Sequence, residues 1–129
     1  MANNADGPEI TFKASATLSG KQFYIVTLDT NGRVKVADDP DDPVEPMLGV
    51  LQNEPLAIDR DAVVRGDGKA KAIGGATIAP GVWVTCDGSG QLAAAVANDN
   101  VLGFTTEAAA NGKISEIMLK QGAGYVAPV

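Results

Sequence analysis

Residues 26–37 read "VTLDTNGRVKVA" and residues 84–95 read "VTCDGSGQLAAA". At a shift of 58 residues, five of the twelve aligned positions are identical: the Val, Thr, Asp and Gly residues and the final Ala. Each segment starts with residues that favour the pleated surface of a strand. The Asp-x-x-Gly that follows fits a turn in which the Asp side chain bonds the backbone beyond it. The chain therefore contains one β-hairpin twice.

The sequence similarity between the two copies extends beyond the hairpin on both sides. Two further pairs of blocks match in the same order: "ATLSGKQF" (16–23) with "ATIAPGV" (76–82), and "MLGVL" (47–51) with "VLGFT" (101–105). Because the order is preserved, we infer an internal twofold repeat whose halves span about residues 16–53 and 76–107. A solenoid would need at least three units to cover its core.

Other segments add strands to these hairpins. "EITFKA" (9–14) alternates so that Ile10 and Phe12 share a face, "AVVRGDGKAKAI" (62–73) is typical of a hairpin turning at Asp67 and Gly68, and "KISEIML" (113–119) closes the sheet. "LAAAVA" (92–97) is too short for a stable helix and is assigned to a strand, whereas "TEAAANG" (106–112) is compatible with one helical turn that ends at Asn111 or Gly112. Eight to ten short strands predict an all-β fold, either a small barrel or a sandwich.

The 129 residues suit a single domain. We place that β domain at residues 9–120. A polar leader (1–8) and a tail rich in Gly, Ala and Pro (121–129) are predicted to be extended N- and C-terminal arms. Either they become ordered on a partner or they are frayed termini without a role. The loop at 37–46 carries five acids and three prolines, and a solvated surface loop is favoured over a Ca²⁺ cage because no Gly provides the sharp turn of an EF-hand loop.

Composition narrows the function classes. The chain has no His and a single Cys, which excludes Ser-His-Asp and Cys-His catalysis and zinc sites built from Cys and His. A carboxylate pair among Asp59, Asp61 and Asp67, with Glu54, is the enzymatic alternative. Surface acids are the favoured interpretation, so we expect no enzyme and no cofactor. A net charge of −6 disfavours nucleic acid as a partner, and no apolar segment approaches the length that spans a membrane.

Four residues are candidates for interaction. Trp83 lies on the strand face opposite Val82, Val84 and Cys86. If those three are core, Trp83 is an interface anchor, and the alternative is ordinary packing under a loop or on the other sheet. Ile10 and Phe12 are apolar anchors in the N-terminal segment, where a strand could be added to a partner's sheet edge. Tyr125 is an apolar anchor in the tail. Cys86 is aligned with Leu28, and with no nearby group to form a thiolate it is predicted to be a buried, unreactive residue.

The stretches "TIAPGVWVTCDGSGQLAAA" (77–95) and "VLGFTTEAAANGKISEIML" (101–119) resemble the bacteriophage capsid-cement proteins, also called head-decoration proteins. The resemblance covers about residues 48–120. It implies a small β-rich protein without catalytic activity, made in the host cytoplasm, that binds the outside of an assembled head. There it would bridge subunits of the major capsid protein, as a homo-oligomer with a trimer favoured. The alternative is a receptor- or carbohydrate-binding β module of a phage fibre.

Overall fold

The computed structural model describes residues 9–38, 48–96 and 99–119. These residues form ten β-strands: β1 (Glu9–Lys13), β2 (Ile25–Leu28), β3 (Val34–Val36), β4 (Gly49–Leu51), β5 (Asp61–Arg65), β6 (Gly68–Ile73), β7 (Trp83–Cys86), β8 (Leu92–Ala94), β9 (Gly103–Thr105) and β10 (Ile114–Leu119). No helix occurs in these three stretches. The predicted arms at 1–8 and 121–129, including Tyr125, and residues 39–46 of the acidic loop lie outside them.

The duplicated hairpin has the predicted turn in both copies. In the first copy, Oδ1 of Asp29 accepts hydrogen bonds from the backbone N–H groups of Asn31 and Arg33, both at 2.9 Å. Gly32 closes the turn with a φ of 77°, a left-handed conformation that glycine adopts without steric cost. The second copy repeats these features at Asp87, Ser89, Gly90 and Gln91.

The strand order shows that the repeat covers the whole described chain. The first sheet has the order β1-β5-β4-β2-β3 and the second has β6-β10-β9-β7-β8, so each strand of the first half has its counterpart five strands later. All named pairings are antiparallel. In each sheet one isolated parallel bridge links the two edges, Ala14 to Val34 and Gly74 to Leu92. The two five-stranded sheets form a sandwich, so of the two predicted architectures the closed barrel is wrong.

Residues 62–73 do not form the predicted hairpin. β5 lies between β1 and β4, so both of its edges are already paired. β6 pairs with β10 in the other sheet instead. Asp67 and Gly68 thus belong to the link between the two halves of the repeat, where the backbone N–H of Gly68 bonds Oδ1 of Asp67 at 2.9 Å.

The predicted helical turn at 106–112 is also wrong. Ala109 forms an antiparallel bridge with Ile78, and each backbone N–H donates to the other residue's carbonyl, at 2.9 and 2.8 Å. A loop held by two such bonds keeps its backbone extended at Ala109. The chain then turns at Gly112, whose φ is 75°.

The described residues form two apolar cores. The first core lies within the first half, and the second core contains residues of both halves. The inner face of the first sheet buries a cluster that includes Val26, Leu51 and Val64. The second cluster contains the inner face of the second sheet and, in addition, three residues of the first half: Ile25, Ala37 and Val50. The outer face of the first sheet is therefore covered by the second half.

Hydrogen bonds fix this junction between the halves. The N–H of Ile25 donates to the carbonyl of Gly90 at 2.8 Å, and the N–H of Ile73 donates to the carbonyl of Phe23 at 3.0 Å. Nε2 of Gln91 reaches the hydroxyl of Tyr24 at 3.2 Å. We call Ile73, Gly90 and Gln91 the second-half seam, because they lie where the two edges of the second sheet meet.

Candidate interaction surface

Trp83 and Phe104 form an aromatic pair on the outer face of the second sheet. They are opposite each other in the register of β7 and β9. Their ring centroids are 5.5 Å apart with an interplanar angle of 82°, an edge-to-face geometry that stabilises aromatic pairs by about 0.5–1.5 kcal/mol beyond area burial. Trp83 nevertheless remains 40% exposed. Val84 and Cys86 are buried on the opposite face, which confirms the predicted orientation of the strand.

A third residue, which follows the neighbouring strand β8, lies beside the aromatic pair. The N–H of Ala95 donates to the carbonyl of Trp83 at 2.9 Å, which places Ala95 beside it. We call Trp83, Ala95 and Phe104 the aromatic surface. Val96, the next residue, is 66% exposed. Exposed aromatic side chains in an apolar setting are typical of the centre of protein interfaces, where Trp is enriched.

The structure places Ile10 and Phe12 on the first sheet, and Tyr125 lies outside the described residues. Phe12 packs against the first core, and Ile10 is 52% exposed on the same face of β1. All five residues of β1 pair with β5, so one edge of this strand is already occupied within the chain. The aromatic surface is on the second sheet, so the candidates do not form a single cluster. Anchoring through Ile10 and Phe12 stays a prediction.

A cavity of about 320 Å³ lies at the junction of the two halves. Arg65 and Glu9 line it and form an ion pair at 2.7 Å, and Lys69 and Glu116 form a second pair at 3.6 Å. Arg65 also has a buried Nε atom without a hydrogen-bond partner in the described chain. Lys71 also lines the cavity, so the lining carries three cationic and two anionic side chains, four of which are paired with one another.

The first-half counterpart of the second-half seam is polar and exposed. We call Lys13, Gly32 and Arg33 the first-half seam. Lys13 pairs with Asp61 at 2.8 Å and Arg33 with Asp59 at 2.7 Å. The hydrogen bond and the charge of Asp61 raise the pKa of Lys13, and those of Asp59 raise the pKa of Arg33. Such exposed pairs contribute little to stability, because water and salt screen the attraction and both side chains lose conformational freedom.

Acidic residues do not gather into a metal site in the described part of the chain, where no group of three or more His, Cys, Asp or Glu side chains is placed to hold an ion. Over the same residues there is no helix of the length and hydropathy needed to cross a membrane.

The fold is similar to that of a solved phage protein structure. The similar structure is described as the crystal structure of head fiber gp8.5 N base in bacteriophage phi29. The TM-score is 0.63, and the match covers 88% of this chain and 93% of that chain. At 15% sequence identity the similarity is one of fold. No family model matches the sequence. The comparison with curated proteins also finds no match.

Sequence reasoning identified Trp83 but missed Phe104. The sequence match between "MLGVL" (47–51) and "VLGFT" (101–105) already aligns Phe104 with Val50. Val50 pairs with Ile25 across β4 and β2, as Phe104 pairs with Trp83 across β9 and β7. Once the pairing of Val50 with Ile25 is known, aligning the two halves places Phe104 opposite Trp83.

Proposed function

We propose that this chain is a structural protein of a bacteriophage virion, which binds the outer surface of the head and bridges neighbouring subunits of the major capsid protein. The observation that carries the proposal is the shared fold with a head fiber base over 88% of this chain. The ordered sequence resemblance to capsid-cement proteins at 77–95 and 101–119 supports the same role. The proposal assigns the chain no catalytic activity.

The architecture suits a protein that bears load. Both sheets are antiparallel, and the second half is joined to the first by a shared core and by hydrogen bonds such as Ile25 to Gly90. The aromatic surface supplies an exposed apolar contact on one side of this unit. Each copy needs only modest affinity, because many copies on one lattice add linked contacts that raise avidity.

A second candidate is the base of a fibre that projects from the head and binds a receptor or a carbohydrate. The observation that favours it is that the similar structure is itself a head fiber base. In both candidates the chain is attached to the head. They differ in whether attachment strengthens the shell.

Binding to heads and strengthening of heads can be measured separately. Empty heads of the phage whose genome encodes the chain are mixed with the purified protein, sedimented and analysed for bound protein. The temperature at which these heads rupture is then compared with and without saturating protein. We expect co-sedimentation and a higher rupture temperature.

The possible results separate the candidates. Binding without any rise in rupture temperature favours a fibre base, and binding of the free protein to cell-surface glycans would support that candidate further. Absence of binding to the heads contradicts both. Deleting residues 1–8 tests the predicted N-terminal arm, because unchanged occupancy on the heads would exclude a role for it.

A further inference from the structure

Phe23 places a bulky side chain at a position where the backbone is strained. Its φ is 72°, and Gly81 occupies the equivalent position of the second half with a φ of 78°. Non-glycine residues in such conformations cluster at binding and catalytic sites. Phe23 also lines two cavities, of about 320 and 470 Å³, which both contain Lys71 and Glu116 in their lining. We call these two cavities together the junction cleft.

The backbone of Lys71 points a donor and an acceptor away from its own sheet. In the register of β6 and β10, Lys71 lies opposite Glu116. The N–H of Glu116 donates to Oε2 of Glu107 at 2.8 Å, and its carbonyl accepts the hydroxyl of Thr106 at 2.9 Å. Lys71 and Glu116 are therefore a non-hydrogen-bonded pair, in which the N–H and C=O of each residue point away from the other strand. For Lys71 this direction is the junction cleft, which it lines.

Bonds from the first half occupy the edge of β6 on either side of Lys71. The N–H of Ile73 donates to the carbonyl of Phe23 at 3.0 Å. The carbonyl of Lys69 accepts a hydrogen bond from Nη1 of Arg65 at 3.3 Å. An extended peptide added along β6 would need these edge groups as well as those of Lys71. The edge therefore suits a compact ligand that uses the N–H and C=O of one residue, and not an added strand.

The charged side chains that line the junction cleft balance one another. Three are cationic and three are anionic: Arg65, Lys69, Lys71, Glu9, Glu107 and Glu116. With a formal sum of zero, the lining does not select an ion, but it offers many hydrogen-bond donors and acceptors. The side-chain amides of Gln22 and Gln52 add groups of both kinds. Gln22, Lys71 and Glu107 are exposed, so the cleft is open to solvent.

We propose that the junction cleft binds a neutral saccharide, with a C–H face of one pyranose ring against Phe23 and two neighbouring hydroxyls on the backbone of Lys71. One hydroxyl accepts the N–H and the other donates to the C=O, since a hydroxyl does either. The face of an aromatic ring is negative and attracts the weakly positive C–H groups of a sugar. The cavities have the size of small-ligand sites, about 300–1,000 Å³.

This inference goes beyond attachment to a phage head, and it gives the second candidate function a site and a class of ligand. It is tested with the purified full chain, so failure to bind a saccharide leaves the result on heads unchanged, and the reverse also holds. The chain is labelled with ¹⁵N and titrated with maltose, lactose and diacetylchitobiose, which are neutral, and with glucuronate as the charged comparison. We expect a neutral sugar to shift the N–H signal of Lys71, with a Kd of about 1 mM.

A free sugar and a sugar unit of a cell-surface glycan offer the same hydroxyls. The labelled chain is therefore also mixed with host cells, with and without an excess of the sugar that binds in the titration. Cell binding that this sugar competes away identifies a surface glycan as the source. Binding of the sugar without binding to cells identifies a free saccharide.

Two variants of Lys71 separate its backbone from its side chain. Lys71→Ala and Lys71→Pro both remove the ammonium group, but only the proline removes the N–H, and proline is tolerated on an edge strand where that N–H points outward. We expect Lys71→Pro to bind the sugar about tenfold more weakly than Lys71→Ala. Phe23→Leu keeps an apolar side chain but loses the aromatic face, and should weaken binding about fivefold.

Arg60→Ala is the matched control, because it removes an exposed cation at the opposite end of β5 from Arg65. It should bind like the original chain. Circular dichroism and thermal unfolding show whether each variant is folded.

Three results would overturn the proposal: no shift at Lys71 with any neutral sugar up to about 50 mM, equal affinities of Lys71→Pro and Lys71→Ala, or tighter binding of glucuronate than of the neutral sugars. If Lys71→Pro fails to fold, Phe23→Leu is compared with Arg60→Ala instead, and equal affinities of these two would overturn the proposal in the same way.

Discussion

Phe23 and Gly81 occupy equivalent positions in the two halves, and both have a left-handed backbone, with φ of 72° and 78°. The N–H of Phe23 donates to Leu51 at 2.7 Å, and that of Gly81 donates to Thr105 at 2.8 Å. Glycine adopts this conformation freely, whereas other residues are strained by about 1–2 kcal/mol. Phe23 is held there because its ring packs against the shared core and its carbonyl bonds Ile73 of the second half.

Gly81→Ala should destabilise the protein by about 1 kcal/mol, because the left-handed backbone is strained by a Cβ atom. No described atom lies within 4 Å of that Cβ position, so a steric clash adds nothing. Gly88→Ala is the matched control: its surroundings are equally open and its φ lies outside the left-handed region. That change should be neutral or stabilise by up to about 1 kcal/mol. Urea unfolding measures both, and equal effects would contradict the assignment of strain.

Gly90→Ala should destabilise the protein more than Gly32→Ala. Both glycines close the same turn, with φ of 80° and 77°, so both variants acquire strain of about 1–2 kcal/mol. A Cβ on Gly32 meets no described atom within 4 Å, whereas one on Gly90 would collide with Val36 and approach the carbonyl of Ala37 at 3.2 Å. Overpacking of this kind adds about 1–3 kcal/mol.

The difference between these two variants tests the junction itself. Unfolding free energies from urea titration should differ by at least the overpacking contribution. Equal losses would show that Gly90 is not seated against the first half.

The repeat was predictable from sequence because its signal is local. The Asp-x-x-Gly turn needs an Asp that bonds the backbone and a glycine with positive φ, so both copies retain them. The apolar residues at alternate positions before the turn then indicate which face of the strand is buried. Val84 and Cys86 are buried as expected.

The arrangement of the halves was not predictable from local sequence, because it depends on pairing between strands that are far apart in the chain. Locally, Asp67 and Gly68 have the composition of a hairpin turn, but β5 is already paired on both sides. Likewise, Ile25 and Trp83 are both apolar residues on outer faces. Ile25 is buried because the second half packs over it, whereas Trp83 is partly exposed.

Cys86→Val should change the unfolding free energy by less than about 1.5 kcal/mol, because it replaces one buried side chain by another of similar size. Cys86 is 1% exposed and belongs to the shared core. Cys86→Ser keeps the shape but buries a hydroxyl, and should destabilise by about 1–3 kcal/mol. Urea unfolding measures both changes. A thiol reagent should label the native protein slowly and the urea-unfolded protein rapidly. Rapid labelling of the native protein would contradict burial.

Asp29 should make the stability of the first turn depend on pH. The backbone hydrogen bond from Arg33, and the weaker effect of the one from Asn31, lower the pKa of Asp29 below its ordinary value of 3.8. A carboxyl whose pKa is lowered by folding stabilises the protein fully above its unfolded pKa, and this contribution is lost as the pH falls through the folded pKa. The stability advantage over Asp29→Asn should therefore shrink between about pH 5 and pH 2.

Urea unfolding of both proteins over this pH range measures the effect, and a carbon-detected NMR titration of the Asp29 carboxyl gives its pKa directly. Asn31→Ala provides the control, since it alters the same turn without removing an ionisable group, and its effect on stability should vary less with pH. A constant difference between the original chain and Asp29→Asn from neutral to acidic pH would contradict the lowered pKa. A difference that grows as the pH falls would require a raised pKa instead, which is the opposite of what two N–H groups aimed at one carboxylate oxygen produce.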